Sequence, residues 1–226
     1  MNISILRAVI YICLVINLAS GKANAQWGLK SENMGVQIFS QERSGSPFHL
    51  VKAQMTIEVS LDKLAEVMRK IEEYDEWMFG CVKSKVIEKD QESHFLLYYV
   101  HETPWPFNYR DVVLSINTKD RRDEGWFAID MMAIDNVYSM DEDYVRMAEM
   151  EGHWRFESLG ADKSRVTFTL VVDPAGDVPI MFVNSGNETV VYESFLGLQR
   201  RALGERFEEL KEKYEMQQVD ELISSK

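Results

Sequence analysis

Polar and apolar positions along this chain repeat with two different periods. Over 48–59 apolar residues alternate with others, at Phe48 and Leu50 and again at Met55, Ile57 and Val59, which reads as a strand. Directly afterwards Leu61, Leu64, Ala65, Val67, Met68 and Ile71 fall three and four apart. That spacing predicts a helix over 61–71, with Ser60 or Asp62 placed to cap it. The aromatic stretch 74–80 reads as a turn or a second small helix. Strand-like segments follow at 82–88, 95–102, 111–119, 126–132, 144–157 and 165–173. Each is rich in aromatic or β-branched residues, and most are separated by charged turns such as 120–125.

From Pro179 onward the helical period returns. Val191, Phe195 and Leu198, with Leu196, Leu203, Phe207, Leu210 and Tyr214, predict one long amphipathic helix opened by Pro179. Ser185-Gly186-Asn187 predicts a kink or break early in it. Residues 215–226 are polar and read as a fraying tail beyond a single domain at 26–214. Strands, a helix, many antiparallel strands and a long terminal helix together give an α+β domain, one curved antiparallel sheet wrapped around the C-terminal helix.

The first 25 residues follow a different logic. Arg7 precedes an apolar run at 8–16, and Ala23-Asn24-Ala25 supplies the small-x-small pattern of a cleaved secretory signal peptide. The run is shorter than the ~20 apolar residues a membrane span needs. The expected mature chain begins at Gln26 and is periplasmic or secreted. It loses Arg7 and Lys22, so the formal net charge of -12 becomes -14. It also loses Cys13, and Cys81 alone makes neither an internal disulfide nor a multi-thiolate metal site.

With 226 residues, 46% hydrophobic, the chain can enclose a sizeable core and is not a disordered one. The excess of 37 acidic over 25 basic side chains argues against nucleic acid as a partner. His49, His94, His101 and His153 show no metal-binding spacing, so no metal and no other cofactor is expected. A curved sheet covered by a helix tends to leave a pocket, and Met131, Met132, Met147, Met150 and Met181 suit a wall that adapts to apolar ligands.

Two stretches carry a family resemblance. Residues 98–113 hold Pro104-Trp105-Pro106 followed by Arg110-Asp111, and residues 173–184 hold Asp173-Pro174, Gly176, Pro179 and Asn184. In this order they resemble the Pro-x-Pro loop, the Arg-Asp strand start and the C-terminal helix start of START (StAR-related lipid-transfer) domains. The resemblance covers nearly all of 26–214. It implies the helix-grip fold with an internal hydrophobic tunnel. It also implies non-enzymatic binding and transfer of a lipid or other hydrophobic molecule, and a lid built from 103–109 and the start of the helix. More distantly the chain is similar to polyketide cyclases on the same grip, so a cyclase or hydrolase is the alternative. Where sterol-binding relatives carry an arginine, six residues after the first of the Arg-Asp pair, this chain has Ile116. A sterol-type polar anchor is therefore not expected.

The expected tunnel and lid residues are Tyr98, His101, Trp105, Arg110, Met131, Met150, Trp154, Phe182, Phe195 and Leu198. Adjacent strand positions face opposite sides, so at most one of Arg110 and Asp111 faces the tunnel, and the pair reads first as fixing the loop to the sheet. Trp105, stiffened by a proline on either side, suits either a transient membrane contact or a cap on the tunnel. For catalysis only His101, Glu102, Asp130 and Asp173 are available as titratable groups of a tunnel, and none is assigned a catalytic role. The chain is expected to be a monomer.

Overall fold

The computed structural model describes residues 26–135, 137–138 and 142–224. The signal-peptide segment, residues 1–25, lies outside the described residues. Ten strands form a single sheet: β1 (Gly28–Asn33), β2 (Val36–Gln41), β3 (Leu50–Ile57), β4 (Cys81–Gln91), β5 (His94–His101), β6 (Arg110–Arg121), β7 (Trp126–Ala133), β8 (Val145–Arg146), β9 (Glu149–Gly160) and β10 (Lys163–Asp173). Their order is β1-β2-β3-β10-β9-β7-β6-β5-β4, antiparallel throughout, with β8 added in parallel to β6. Because the side-chain period of a strand is two, each strand gives alternate residues to the concave face. Val51, Ala53, Met55 and Ile57 of β3, Trp154 and Phe156 of β9, and Val166, Phe168 and Leu170 of β10 meet there in one core.

Two helices and a short 3-10 segment cover this face. Helix α1 (Leu61–Arg69) is capped by Ser60, whose Oγ accepts the Lys63 N–H, and buries Leu61, Leu64, Ala65, Val67 and Met68. A 3-10 segment, Ile71–Glu76, continues from it. Helix α2 (Ile180–Leu203) buries Val183, Asn187, Val191, Phe195, Leu198 and Ala202, a stripe at three- and four-residue steps. Full burial of Val191, Phe195 and Leu198 contributes about 1.5–3 kcal/mol each.

Two expectations need correction here. Helix α2 runs unbroken through Ser185-Gly186-Asn187, because Asn187 belongs to its buried stripe and packing outweighs the ~1 kcal/mol cost of Gly186. The break comes instead at Gly204, with φ 59° and ψ -129°, where a side chain is disfavoured. After it α3 (Arg206–Ser224) runs on through most of the polar tail. It is held to the β1–β2 turn by Gln218 Nε2, which donates to Asn33 Oδ1 at 3.1 Å, and by Phe207, which is buried. The strand expected at 144–157 is also divided. Met147 N–H bonds the Asp111 carbonyl and Ala148 N–H the Asp173 carbonyl, so the chain crosses between strands before β9 begins.

Candidate functional site

The concave face is unevenly filled. Under α2 an aromatic layer leaves little room: Trp154 stacks on Phe168 with ring centroids 4.0 Å apart and lies 5.4 Å from Phe195, while Phe127 and Phe156 stack at 4.2 Å. Beside that layer a cavity of about 480 Å³ opens between the sheet and the helical segment 61–78. Ala65, Met68, Ile71, Tyr74 and Met78 form its roof, and Val86, Phe95, Leu97, Ile116, Phe127, Ile129, Met131 and Trp154 its floor and walls. Its charged lining residues, Arg69, Glu72, Lys89, Glu92, Lys119 and Asp120, are all exposed and so mark the mouth.

Ion pairs surround that mouth. Arg69 Nη2 lies 3.3 Å from Asp120 Oδ2, and Lys89 Nζ lies 3.0 Å from Glu92 Oε1. Arg122 binds both Asp120, at 2.8 Å, and Asp62, at 2.5 Å, and so ties the start of α1 to the end of β6. Deeper in, Tyr74 Oη donates to the Met68 carbonyl at 2.6 Å, and burial pushes its phenol well above the ordinary range. The Trp154 indole Nε1–H is buried and has no acceptor among the described residues.

Of the ten expected site residues, Met131 and Trp154 line this cavity. Phe195 and Leu198 are fully buried in the packing beneath α2, and Met150 packs against the same core. Tyr98 has the parity of the convex face, where it packs with Leu96, Val100 and Val113 and donates to Asp111 Oδ2 at 3.1 Å. His101 is largely buried beside the Tyr99 hydroxyl, at 3.4 Å, and burial lowers it to about 4. Trp105 is 92% exposed and Phe182 59% exposed, both at the end of the sheet opposite the cavity mouth. The cavity lies under α1 rather than under α2 because five large aromatic side chains occupy the space under α2.

Arg110 and Asp111 are both buried and both structural. Arg110 Nε and Nη2 donate to the carbonyls of Pro174 and Ala175 at 3.2 Å each, and Nη1 donates to the Asn108 carbonyl. One side chain thereby joins the Pro-x-Pro loop to the start of α2, and its burial lowers its basicity. Asp111 accepts both Arg146 Nε and Nη2 at 2.9 Å, a bidentate pair that raises the Arg146 guanidinium further. Glu102 accepts the Tyr109 hydroxyl, Asp173 accepts the Ala175 N–H, and Asp130 is held by Lys119 and His153, so none of these carboxylates turns into the cavity. Residues 74 and 78 and the β4 wall were absent from the expected set. The stripe at 61–71 was the signal that pointed towards the roof.

A family model described as polyketide cyclase / dehydrase and lipid transport matches residues 57–194. An uncharacterised protein of Pseudomonas aeruginosa is 22% identical over 182 residues, 80% of this chain and 89% of that one. Among solved structures, a STAR-related lipid transfer protein from Xanthomonas axonopodis superposes with a TM-score of 0.71 at 20% identity, covering 78% of this chain and 98% of that one. Human STARD10 superposes with a TM-score of 0.72 at 20% identity, covering 88% of this chain and 81% of that one. The shared fold is the helix-grip, a curved antiparallel sheet closed by C-terminal helices.

Proposed function

The chain belongs to the polyketide cyclase / dehydrase and lipid transport family, and from that premise we propose that it is a non-enzymatic carrier binding one lipid in the cavity under α1. The observation that carries this reading is the division of the lining: buried walls almost wholly apolar, charges confined to the exposed mouth and several of them ion-paired. Each methylene moved from water into such a space contributes about 0.8 kcal/mol, so a chain of moderate length binds without a charged anchor. A cyclase or hydrolase needs titratable groups converging on bound substrate. Here His101, Glu102, Asp130 and Asp173 all lie outside the lining, which disfavours that alternative.

On this reading the chain is exported as a monomer after loss of residues 1–25 and works outside the cytoplasm. Trp105, Met181 and Phe182, exposed by 92%, 73% and 59%, form an apolar surface at the end of the sheet away from the cavity mouth, by which the carrier docks on a membrane. With a charge of -14 after export, that contact is apolar rather than electrostatic. The test is transfer of a fluorescent fatty acid between neutral vesicles by residues 26–226. Saturable uptake, slowed in transfer but unchanged in solution binding by Trp105→Ala with Met181→Ser and Phe182→Ser, is expected. Failure to take up any fatty acid or phospholipid probe overturns the carrier reading.

A further inference from the structure

One aromatic layer divides the concave face. Trp154 and Phe127 line the cavity on one side of it. Behind Trp154 stand Phe168 and Phe195, with ring centroids 4.0 and 5.4 Å away, and Phe156 stacks behind Phe127 at 4.2 Å. None of these three is a lining residue, and all are buried. Interiors pack at the density of organic crystals, so stacked rings of this kind form a wall and leave no path for a ligand between them. Whatever enters is confined to the side under α1.

Resting on the carrier reading, we propose that this layer makes the protein selective for single-chain lipids. One acyl or alkyl chain lies under α1, its polar head stays at the mouth, and a second chain is excluded. Size follows from the volume. At roughly 30 Å³ for each methylene-sized unit, taken from the share of one water in the liquid, about 480 Å³ holds about sixteen units. Two chains of that length need twice the space, and the aromatic layer closes the only other part of the concave face beneath a helix. The place of the head follows from the charges. A phosphate or carboxylate against the inner walls would be buried without a cation. Arg69, Lys89 and Lys119 stand exposed at the mouth, balanced there by Glu72, Glu92 and Asp120. A head left among them keeps its water, and the cavity reads the chain behind it.

The experiment measures displacement of a cavity-bound fluorescent fatty acid by saturated lysophosphatidylcholines of increasing chain length and by dimyristoylphosphatidylcholine, each supplied from cyclodextrin. The native chain and Trp154→Ala are compared. The native chain is expected to bind the one-chain lipids about fourfold more tightly for each added methylene, levelling off near sixteen carbons. It is expected to bind the two-chain lipid more weakly than myristoyl-lysophosphatidylcholine by about tenfold or more, the scale of forcing atoms into a packed wall. Trp154→Ala removes a ring that fills the space of about five methylene-sized units, and moves the levelling point to longer chains by up to that number. Equal affinities for one chain and two, or an unmoved levelling point in the folded variant, overturn the selectivity and leave the carrier reading standing. Displacement by none of these lipids overturns the carrier reading and the selectivity with it. Should Trp154→Ala not fold, Phe127→Ala opens the same layer and takes its place, read by the same two outcomes.

Discussion

Gly197 of α2 and Trp77 meet backbone to backbone: a Cβ at position 197 would overlap the Trp77 carbonyl oxygen and come within 2.9 Å of the carbonyl carbon. This contact presses the helix against the end of the segment that roofs the cavity. Gly197→Ala is expected to destabilise the fold by about 2–3 kcal/mol, as overpacking against immovable backbone does. Gly186→Ala, where nothing lies within 4 Å, is expected to stabilise it by up to about 1 kcal/mol. Urea unfolding of the two variants measures both, and equal effects would contradict the contact.

The Asp111–Arg146 pair makes a second prediction. Its carboxylate is 1% and its guanidinium 11% exposed, so removing one partner strands the other in a low-dielectric site. Asp111→Asn or Arg146→Met alone is expected to cost about 3–5 kcal/mol. Asp111→Leu combined with Arg146→Leu is expected to cost clearly less than the sum of the singles, a coupling that a double-mutant cycle reads directly.

Stability also depends on His101. Its folded-state value of about 4 lies below the ordinary 6.5, because burial disfavours the charged ring. Between pH 6.5 and 4 the unfolded chain binds a proton that the native chain refuses, so stability falls on acidification through that window. The shift is worth about 2–4 kcal/mol at the acid end. His101→Gln is expected to flatten this part of the stability profile, and an unchanged slope would rule the histidine out as its source.

Cavity length is open to the same kind of test. Ala65→Leu places three additional carbon atoms against the cavity from its roof. The longest alkan-1-ol that displaces a bound fluorophore is expected to shorten by about three carbons, while stability changes by less than about 3 kcal/mol. An unaltered chain-length limit would place the ligand elsewhere.

Much of this arrangement was legible in the sequence. Alternation marked β3, aromatic and β-branched segments marked β4 to β7, β9 and β10, and the stripe at 61–71 marked α1. Two motifs pointed to a grip closed by a terminal helix. What escaped was decided by tertiary contacts. Val36, Ile38 and Ser40 of β2 alternate as cleanly as β3, but with five polar or glycine residues in β1 beside them no strand pair stood out. The location of the cavity escaped for a related reason. Phe195, Leu198 and Trp154 carry the same pattern whether they line a space or fill it, and only the stacking of their rings shows that the layer beneath α2 is closed. Tyr98 and Tyr99 are indistinguishable by type, yet they face opposite sides of the sheet, and the convex position captures Tyr98 for Asp111.

Native mass spectrometry of residues 26–226, purified from the source cell without detergent, measures the central claim most directly. The expected result is a major species heavier than the chain by the mass of one lipid, which the cavity-filled variant Ala65→Leu carries in shorter form or not at all. A protein that emerges at its bare mass, and stays so after incubation with long-chain alcohols and fatty acids, would contradict it.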